Sequence, residues 1–133
     1  MDWSEQQAPS LDDFETMAGQ AFSSLPEEFR TLTGDIVYIV QDFPDEDVMR
    51  DMELESEFDI LGLFQGAGLG ARVANDGPPE PTMILLYRRP ILDYWAEHEE
   101  KLGDVVRHVV VHEIGHHFGL SDDQMEAIEE AAE

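Results

Sequence analysis

One short segment near the C-terminus constrains the fold of this chain more than any other feature. It places His112, Glu113 and His116 at the spacing H-E-x-x-H, and Gly119 and Asp122 follow at intervals of three residues. Side chains four residues apart lie on one face of an α-helix, with Cβ atoms about 5–6 Å apart. Two imidazoles at this spacing can meet one metal ion. The chain must therefore build a helix with one face open to a ligand, followed by a sharp turn.

The residue types in the sequence decide how such an ion can be bound. The sequence contains no cysteine, so thiolate ligands and disulfides are excluded. A catalytic Zn²⁺ takes three protein ligands and keeps a fourth position for water. We predict that His112, His116 and Asp122 bind Zn²⁺, because a left-handed residue at Gly119 lets the chain turn back toward the ion. The alternatives for the third ligand are Asp123 and Glu126.

The glutamate of the motif has a different predicted role. Glu113 is turned by about 100° from His112 on the helix, so it lies beside the ion rather than among its ligands. There it can act as a general base toward a metal-bound water. The segment therefore predicts a zinc-dependent metallopeptidase, in which a Glu-activated zinc-bound water hydrolyses peptide bonds. The side chain that would stabilise the transition state is left open among Tyr87, Tyr94 and His117.

The remaining histidines and the nearest methionine have simpler interpretations. His117 is turned by about 100° from His116 on the helix, so we expect it to contact the ligands or solvent. His98 and His108 are assigned to the surface or to the edge of the core. Met125 is assigned to the core, as is usual for a methionine on an amphipathic helix.

Start signals and apolar spacing predict the helices. Capping boxes begin the first and last helices, and Gly119 ends the long helix that carries the motif. The predicted helix starts are Ser10 with Asp13, Pro26, and Ser121 with Gln124. The predicted helical segments are residues 45–57, Ile91 to Leu102, and Asp104 to Phe118.

Three short apolar runs, at residues 36–40, 60–64 and 82–87, predict a small sheet. The first run is rich in β-branched residues and predicts a strand buried on both faces. Gly62 in the second run weakens the strand or marks a close approach of another backbone. The third run follows a predicted loop at 66–81, which indicates an edge strand where a substrate peptide is added by β-augmentation.

Length and charge set the broad class of the protein. The 133 residues fit one domain, predicted at 10–133 after a disordered lead at 1–9. Because 31 acidic residues stand against 7 basic ones, the surface repels nucleic acids and anionic membranes. Residues 1–5 lack the pattern of a signal peptide, and no run approaches the roughly 20 apolar residues that span a bilayer. We therefore expect a cytoplasmic monomer whose partner is a peptide or protein substrate.

The chain resembles a family of small bacterial zincin-like metallopeptidases. The resemblance covers about residue 10 to the end, and it implies an α+β minimal zincin-like fold with a small mixed β-sheet, an active-site helix and flanking helices. It also implies Zn²⁺ as the cofactor, with two histidines and an aspartate as ligands and a glutamate as base. The residues that carry it are His112-Glu113-x-x-His116-x-x-Gly119-x-x-Asp122, with segments 61–66 and 84–90 similar to the family's strands.

Two other classes of protein are compatible with the same residues. One is a non-catalytic metal-binding scaffold that acts as an acidic partner-binding protein. The other is an acidic mimic of nucleic acid that contains a structural metal. Glu113 favours the enzyme over both, because a structural zinc site needs no base.

Overall fold

The computed structural model describes residues 2–65 and 82–132, and it has an α+β architecture. Within these ranges the chain forms six α-helices and three strands. In chain order they are α1 Leu11–Ser23, α2 Glu27–Arg30, β1 Ile36–Gln41, α3 Glu46–Asp51, β2 Gly62–Gln65, β3 Thr82–Tyr87, α4 Arg88–Glu97, α5 Leu102–His117 and α6 Asp122–Glu130. The predicted loop at 66–81 lies outside the described residues.

The strands form a mixed sheet in the order β1-β3-β2. β1 pairs with β3 in parallel, and β2 pairs with β3 antiparallel. The prediction that β3 is an edge strand was wrong, because it is hydrogen-bonded on both sides. The prediction that β1 is buried on both faces was also wrong. β1 borders the described sheet, none of its residues is buried, and Val37 is 49% exposed.

The central strand divides its side chains between two cores, as the period of two in a strand requires. Ile84 and Leu86 pack into the main core together with residues of α1 and α5. Leu85 and Tyr87 point to the other face, where Val48 of α3 completes a smaller cluster. The sheet therefore presents one face to α5, the helix that carries the motif.

A glycine in β2 lets this helix approach closely. A Cβ atom at Gly62 would lie 2.7 Å from Cγ1 of Val109 and 3.0 Å from the carbonyl oxygen of Leu85. Neither neighbour can withdraw easily, because Val109 is buried and the oxygen belongs to the backbone. Of the two predictions for Gly62, a weakened strand or a close approach of another backbone, the structure shows a close approach, made by a side chain of α5 and by the backbone of the paired strand β3. The missing side chain lets α5 pack closely against the sheet.

Two of the three predicted helix starts are confirmed, and the third is wrong by one residue. Ser10 and Ser121 both form capping boxes, with Asp13 and Gln124 respectively. Pro26 precedes α2 and is not its first residue. None of the helices in the described ranges combines the length and apolar character needed to cross a membrane.

The lead before α1 contains one short turn. Residues Trp3–Glu5 form a 3-10 helix in which no residue is buried. Nε of Arg88 donates a hydrogen bond of 2.6 Å to the carbonyl oxygen of Pro9, so the end of the lead contacts the start of α4. The disorder of residues 1–9 and the domain range 10–133 stay predictions.

Candidate metal centre

Three histidines follow one another at four-residue intervals along α5: His108, His112 and His116. Residues at this spacing share a helix face, while Val110 and Ile114 of the same helix are fully buried. His112 is partly buried, and the histidines on either side of it are exposed. The helix therefore presents a continuous row of imidazoles at the edge of the core.

The geometry of His112 and His116 fits a shared zinc ion. Their ring centroids lie 5.6 Å apart, and the ring planes are nearly perpendicular at 83°. With Zn–N bonds of about 2.0–2.1 Å and tetrahedral angles, two ligating rings have centroids roughly 5 Å apart. Imidazole and carboxylate are also the zinc ligands that a chain without cysteine can supply. The residues present thus suit Zn²⁺.

The turn after α5 has the form that the sequence predicts. Gly119 adopts a left-handed conformation with φ of 73°. Its N–H donates to the carbonyl oxygen of His116 at 3.2 Å, and the N–H of Leu120 donates to that of Gly115 at 2.9 Å. These two bonds form a Schellman motif, which ends the helix and reverses the chain. Ser121 then caps α6 at once, so Asp122 becomes the first residue of that helix.

A second glycine sets how closely α6 packs against α5. A Cβ atom at Gly115 would collide with Sδ of Met125 and lie 2.8 Å from its Cγ. Met125 is fully buried, which confirms its assignment to the core. Because residue 115 meets residue 125 and His108 meets Glu129, α6 runs back along α5 beside the histidine row.

Asp122 is exposed and close enough to His112 for its charge to raise the pKa of that imidazole. We call His112, His116 and Asp122 the motif site. Within the described residues, their ligand atoms do not form a group in which all lie within 4.8 Å of one another, and their assignment as ligands stays a prediction. Asp123 and Glu126 are exposed residues of the same helix.

Another group of possible ligands lies one turn away along the same row. Within the described residues, ligand atoms of His108, His112 and Glu129 all lie within 4.8 Å of one another. Nδ1 of His108 is 2.9 Å from one oxygen of Glu129, and Nε2 of His112 is 3.8 Å from the other. We call this group the outer position. His108 was predicted to lie at the surface or at the edge of the core, and it is exposed. Glu129 was not predicted to belong to a site, although it follows Asp122 by two helical turns.

The pKa of His112 reflects its position between these groups. Burial lowers the pKa, and the neighbouring His108 and His116 lower it further, while Glu129 and Asp122 oppose the shift. A histidine binds a metal through its neutral imidazole. The surroundings of His112 therefore favour the form that a metal requires.

Glu113 is partly buried beside this row. Burial raises the pKa of its carboxyl group, and the nearby His116 partly opposes this. A raised pKa brings a carboxylate closer to the range in which it can accept and return a proton near neutral pH. The role of Glu113 as a base stays a prediction.

The three candidates for transition-state stabilisation lie in different surroundings. Tyr87 is fully buried, its hydroxyl has no hydrogen-bond partner among the described residues, and burial raises its pKa to about 12. Tyr94 is partly exposed, and its ring stacks on His98 at 3.9 Å. His117 is exposed, with its ring 4.5 Å from that of Phe64 in β2. Tyr94 and His117 are thus accessible to a substrate, whereas Tyr87 is not.

A model of a known protein family matches the part of the chain that contains this site. The family model described as zincin-like metallopeptidase matches residues 33–132. The match includes all three strands, the helices α3 to α6 and the whole histidine row. No curated protein sequence matches the chain. The family model spans most of the sequence, and the chain therefore belongs to the zincin-like metallopeptidase family.

Proposed function

We propose that the protein is a zinc-dependent metallopeptidase that hydrolyses peptide bonds. The observation that supports this most is the near-perpendicular pair of His112 and His116 on one open helix face, at the spacing of two ligands to one ion. Membership of the zincin-like metallopeptidase family supports the same reaction class.

In this proposal His112, His116 and Asp122 hold the metal. The two histidines come from the last turns of α5, and the aspartate comes from the first turn of α6 beyond the Schellman turn. A bound zinc ion supplies Lewis acidity, which polarises a peptide carbonyl and makes a water molecule acidic at neutral pH. The chain contributes a ligand set drawn from two helices that Gly115 and Met125 hold together.

Glu113 moves the proton. Its carboxylate accepts a proton from the attacking water and returns it to the amine of the leaving peptide. Its place one position after His112 directs it to the space beside the metal ligands. Its carboxyl group is partly buried, and this burial raises its pKa toward the range that suits a base near neutral pH.

We propose that the substrate lies along β2. The side of β2 opposite β3 has no partner among the described strands, so it can add an extended peptide by β-augmentation. Phe64 of β2 contacts His117 and Phe118, at ring distances of 4.5 and 5.9 Å. A peptide on this edge would therefore run next to the C-terminal end of α5. The predicted cytoplasmic location and monomeric state stay predictions.

A digest of a diverse peptide library tests the function. The protein as purified should cleave peptides, and a chelator should abolish the cleavage, which added Zn²⁺ should restore. Cleavage that persists when elemental analysis confirms removal of the metal would contradict the zinc mechanism. If zinc binds and no peptide is cleaved, the non-catalytic metal-binding scaffold becomes the better description.

A further inference from the structure

The row of histidines on α5 is longer than the motif needs. His108 extends it by one turn beyond His112, and its ring lies 3.9 Å from that of His112. On the facing helix, Glu129 follows Asp122 by seven residues, and residues two turns apart share a face. Because α6 runs back along α5, the row of imidazoles faces a row of carboxylates.

We propose that His108, His112 and Glu129, the outer position, bind a divalent transition-metal ion. The inference concerns metal binding and rests on the proposed function only in that the motif site is taken to hold the catalytic ion. His112 belongs to both groups, so one ion occupies either the outer position or the motif site. The outer position is therefore an alternative place for the same kind of ion.

The distances around Glu129 support a ligand role. Its two oxygens divide between the rings, at 2.9 Å from Nδ1 of His108 and 3.8 Å from Nε2 of His112. Ligand atoms on a tetrahedral Zn²⁺ lie roughly 3.4 Å apart, given bonds of about 2.0–2.2 Å. The two measured separations lie on either side of this value. The ring centroids of His108 and His112 are 3.9 Å apart, so the exposed His108 ring must turn away from His112, to a centroid separation of roughly 5 Å, to admit an ion.

The donor types limit which ions can bind. Two imidazoles with one carboxylate suit Zn²⁺ and Co²⁺, whereas Mg²⁺ and Ca²⁺ prefer oxygen ligands alone. His108 is the more exposed ligand, with 56% of its side chain accessible, compared with 23% for His112 and 22% for Glu129. An ion can thus reach His108 directly from solvent.

The test removes two ligands of the motif site and measures whether the chain still binds a metal ion. In His116→Ala/Asp122→Ala, the metal-free protein should still bind one Co²⁺ per chain, seen as visible d–d absorption, and Zn²⁺ should displace it. Adding Glu129→Gln should weaken Co²⁺ binding by about tenfold or more, since even outer partners of a metal site contribute about 10- to 100-fold to affinity. His108→Ala should have a similar effect, and Mg²⁺ should not compete.

The matched control is Glu130→Gln, an exposed glutamate next to Glu129 on the same helix. It removes the same charge from α6 without touching the histidine row, so it should leave Co²⁺ affinity unchanged. Equal affinities of the two glutamine variants, or no bound Co²⁺ in the double variant, would overturn the outer position. If circular dichroism shows that the double variant is unfolded, His116→Ala and Asp122→Ala separately allow the same comparison.

The outcome also separates this inference from the proposed function. Zinc in the wild-type protein that is absent from a folded double variant would refute the outer position and leave the motif site intact. A zinc affinity that is the same in the wild-type protein and in the double variant, and that falls in both with Glu129→Gln, would refute the motif site alone.

Discussion

The two halves of the histidine row are built in different ways. In the C-terminal half, His116 and Asp122 lie on either side of one tight turn, so local rules of helix ending control their relation. In the N-terminal half, His108 and Glu129 are 21 residues apart, and they meet only because α6 packs along α5. A site formed by a local turn can be predicted from the sequence, whereas a site formed by helix packing cannot.

The largest effect is expected from the base in the C-terminal half. Glu113→Gln keeps the size of the side chain and removes its ability to take a proton at neutral pH. Because general-base assistance contributes about 10²–10⁴-fold in rate, we expect a loss of that order in kcat/KM against any peptide that the parent cleaves, with zinc content unchanged. Glu130→Gln should retain full activity. A loss below tenfold would mean that another group takes the proton, and a loss of zinc would show that Glu113 is itself a ligand.

Removal of the metal tests whether the ion joins the two helices. A ligand that binds only the folded state adds about 4 kcal/mol to the free energy of unfolding when its free concentration is a thousand times Kd. We therefore expect chelation to lower Tm by more than about 10 °C in a chain of this size. Calorimetry should show the fall, and hydrogen exchange should increase most in α6. An unchanged Tm in protein shown to be free of metal would contradict this link.

The packing that creates the N-terminal half can be disturbed by one methyl group. Gly115→Ala forces a Cβ atom into Met125, and overpacking of this kind destabilises a core by about 1–3 kcal/mol. We expect urea denaturation to show such a loss, together with weaker Co²⁺ binding at the outer position in the double variant.

The matched control for this packing is Gly103→Ala in the same helix. A Cβ atom at Gly103 meets nothing within 4 Å, so alanine there should stabilise the helix by up to about 1 kcal/mol through its propensity. Equal responses at the two glycines would show that contact with Met125 does not set the distance between the helices.

The same contrast explains how much of the molecule the sequence predicts. The capping boxes at Ser10 and Ser121 and the left-handed Gly119 were predictable, because each depends on residues only a few positions apart. The place of β3 at the centre of the sheet was not, since it depends on pairing with β1, a strand far away in the chain. For the same reason a run of β-branched residues did not reveal that β1 lies at the border of the described sheet.

The candidate site also has one part that was predictable from the sequence and one part that was not. The ligand spacing of His112 and His116 is a property of one helix and was predictable from the motif. The contact between His108 and Glu129 could be predicted only if it were known that Met125 packs against Gly115. No local pattern in the sequence indicates that packing. The repeat of histidine at four-residue intervals and of acid at seven was the available signal, and it gains meaning only once the two helices are placed side by side.

The smallest effect on stability is expected from a substitution in the turn between α5 and α6. Gly119→Ala places a Cβ atom at φ of 73°, a left-handed conformation that costs an L-residue about 1–2 kcal/mol. Gly34→Ala carries the same strain at φ of 65°, between α2 and β1 and outside the motif. Both variants should lose similar stability in urea, but Gly119→Ala alone should weaken zinc binding, because it disturbs the turn that leads from His116 to Asp122. Gly119→Asn should recover part of the loss, since asparagine tolerates this conformation. Equal zinc affinity in the two alanine variants would mean that the turn does not set the third ligand, and Glu129 would then be the better candidate for that ligand.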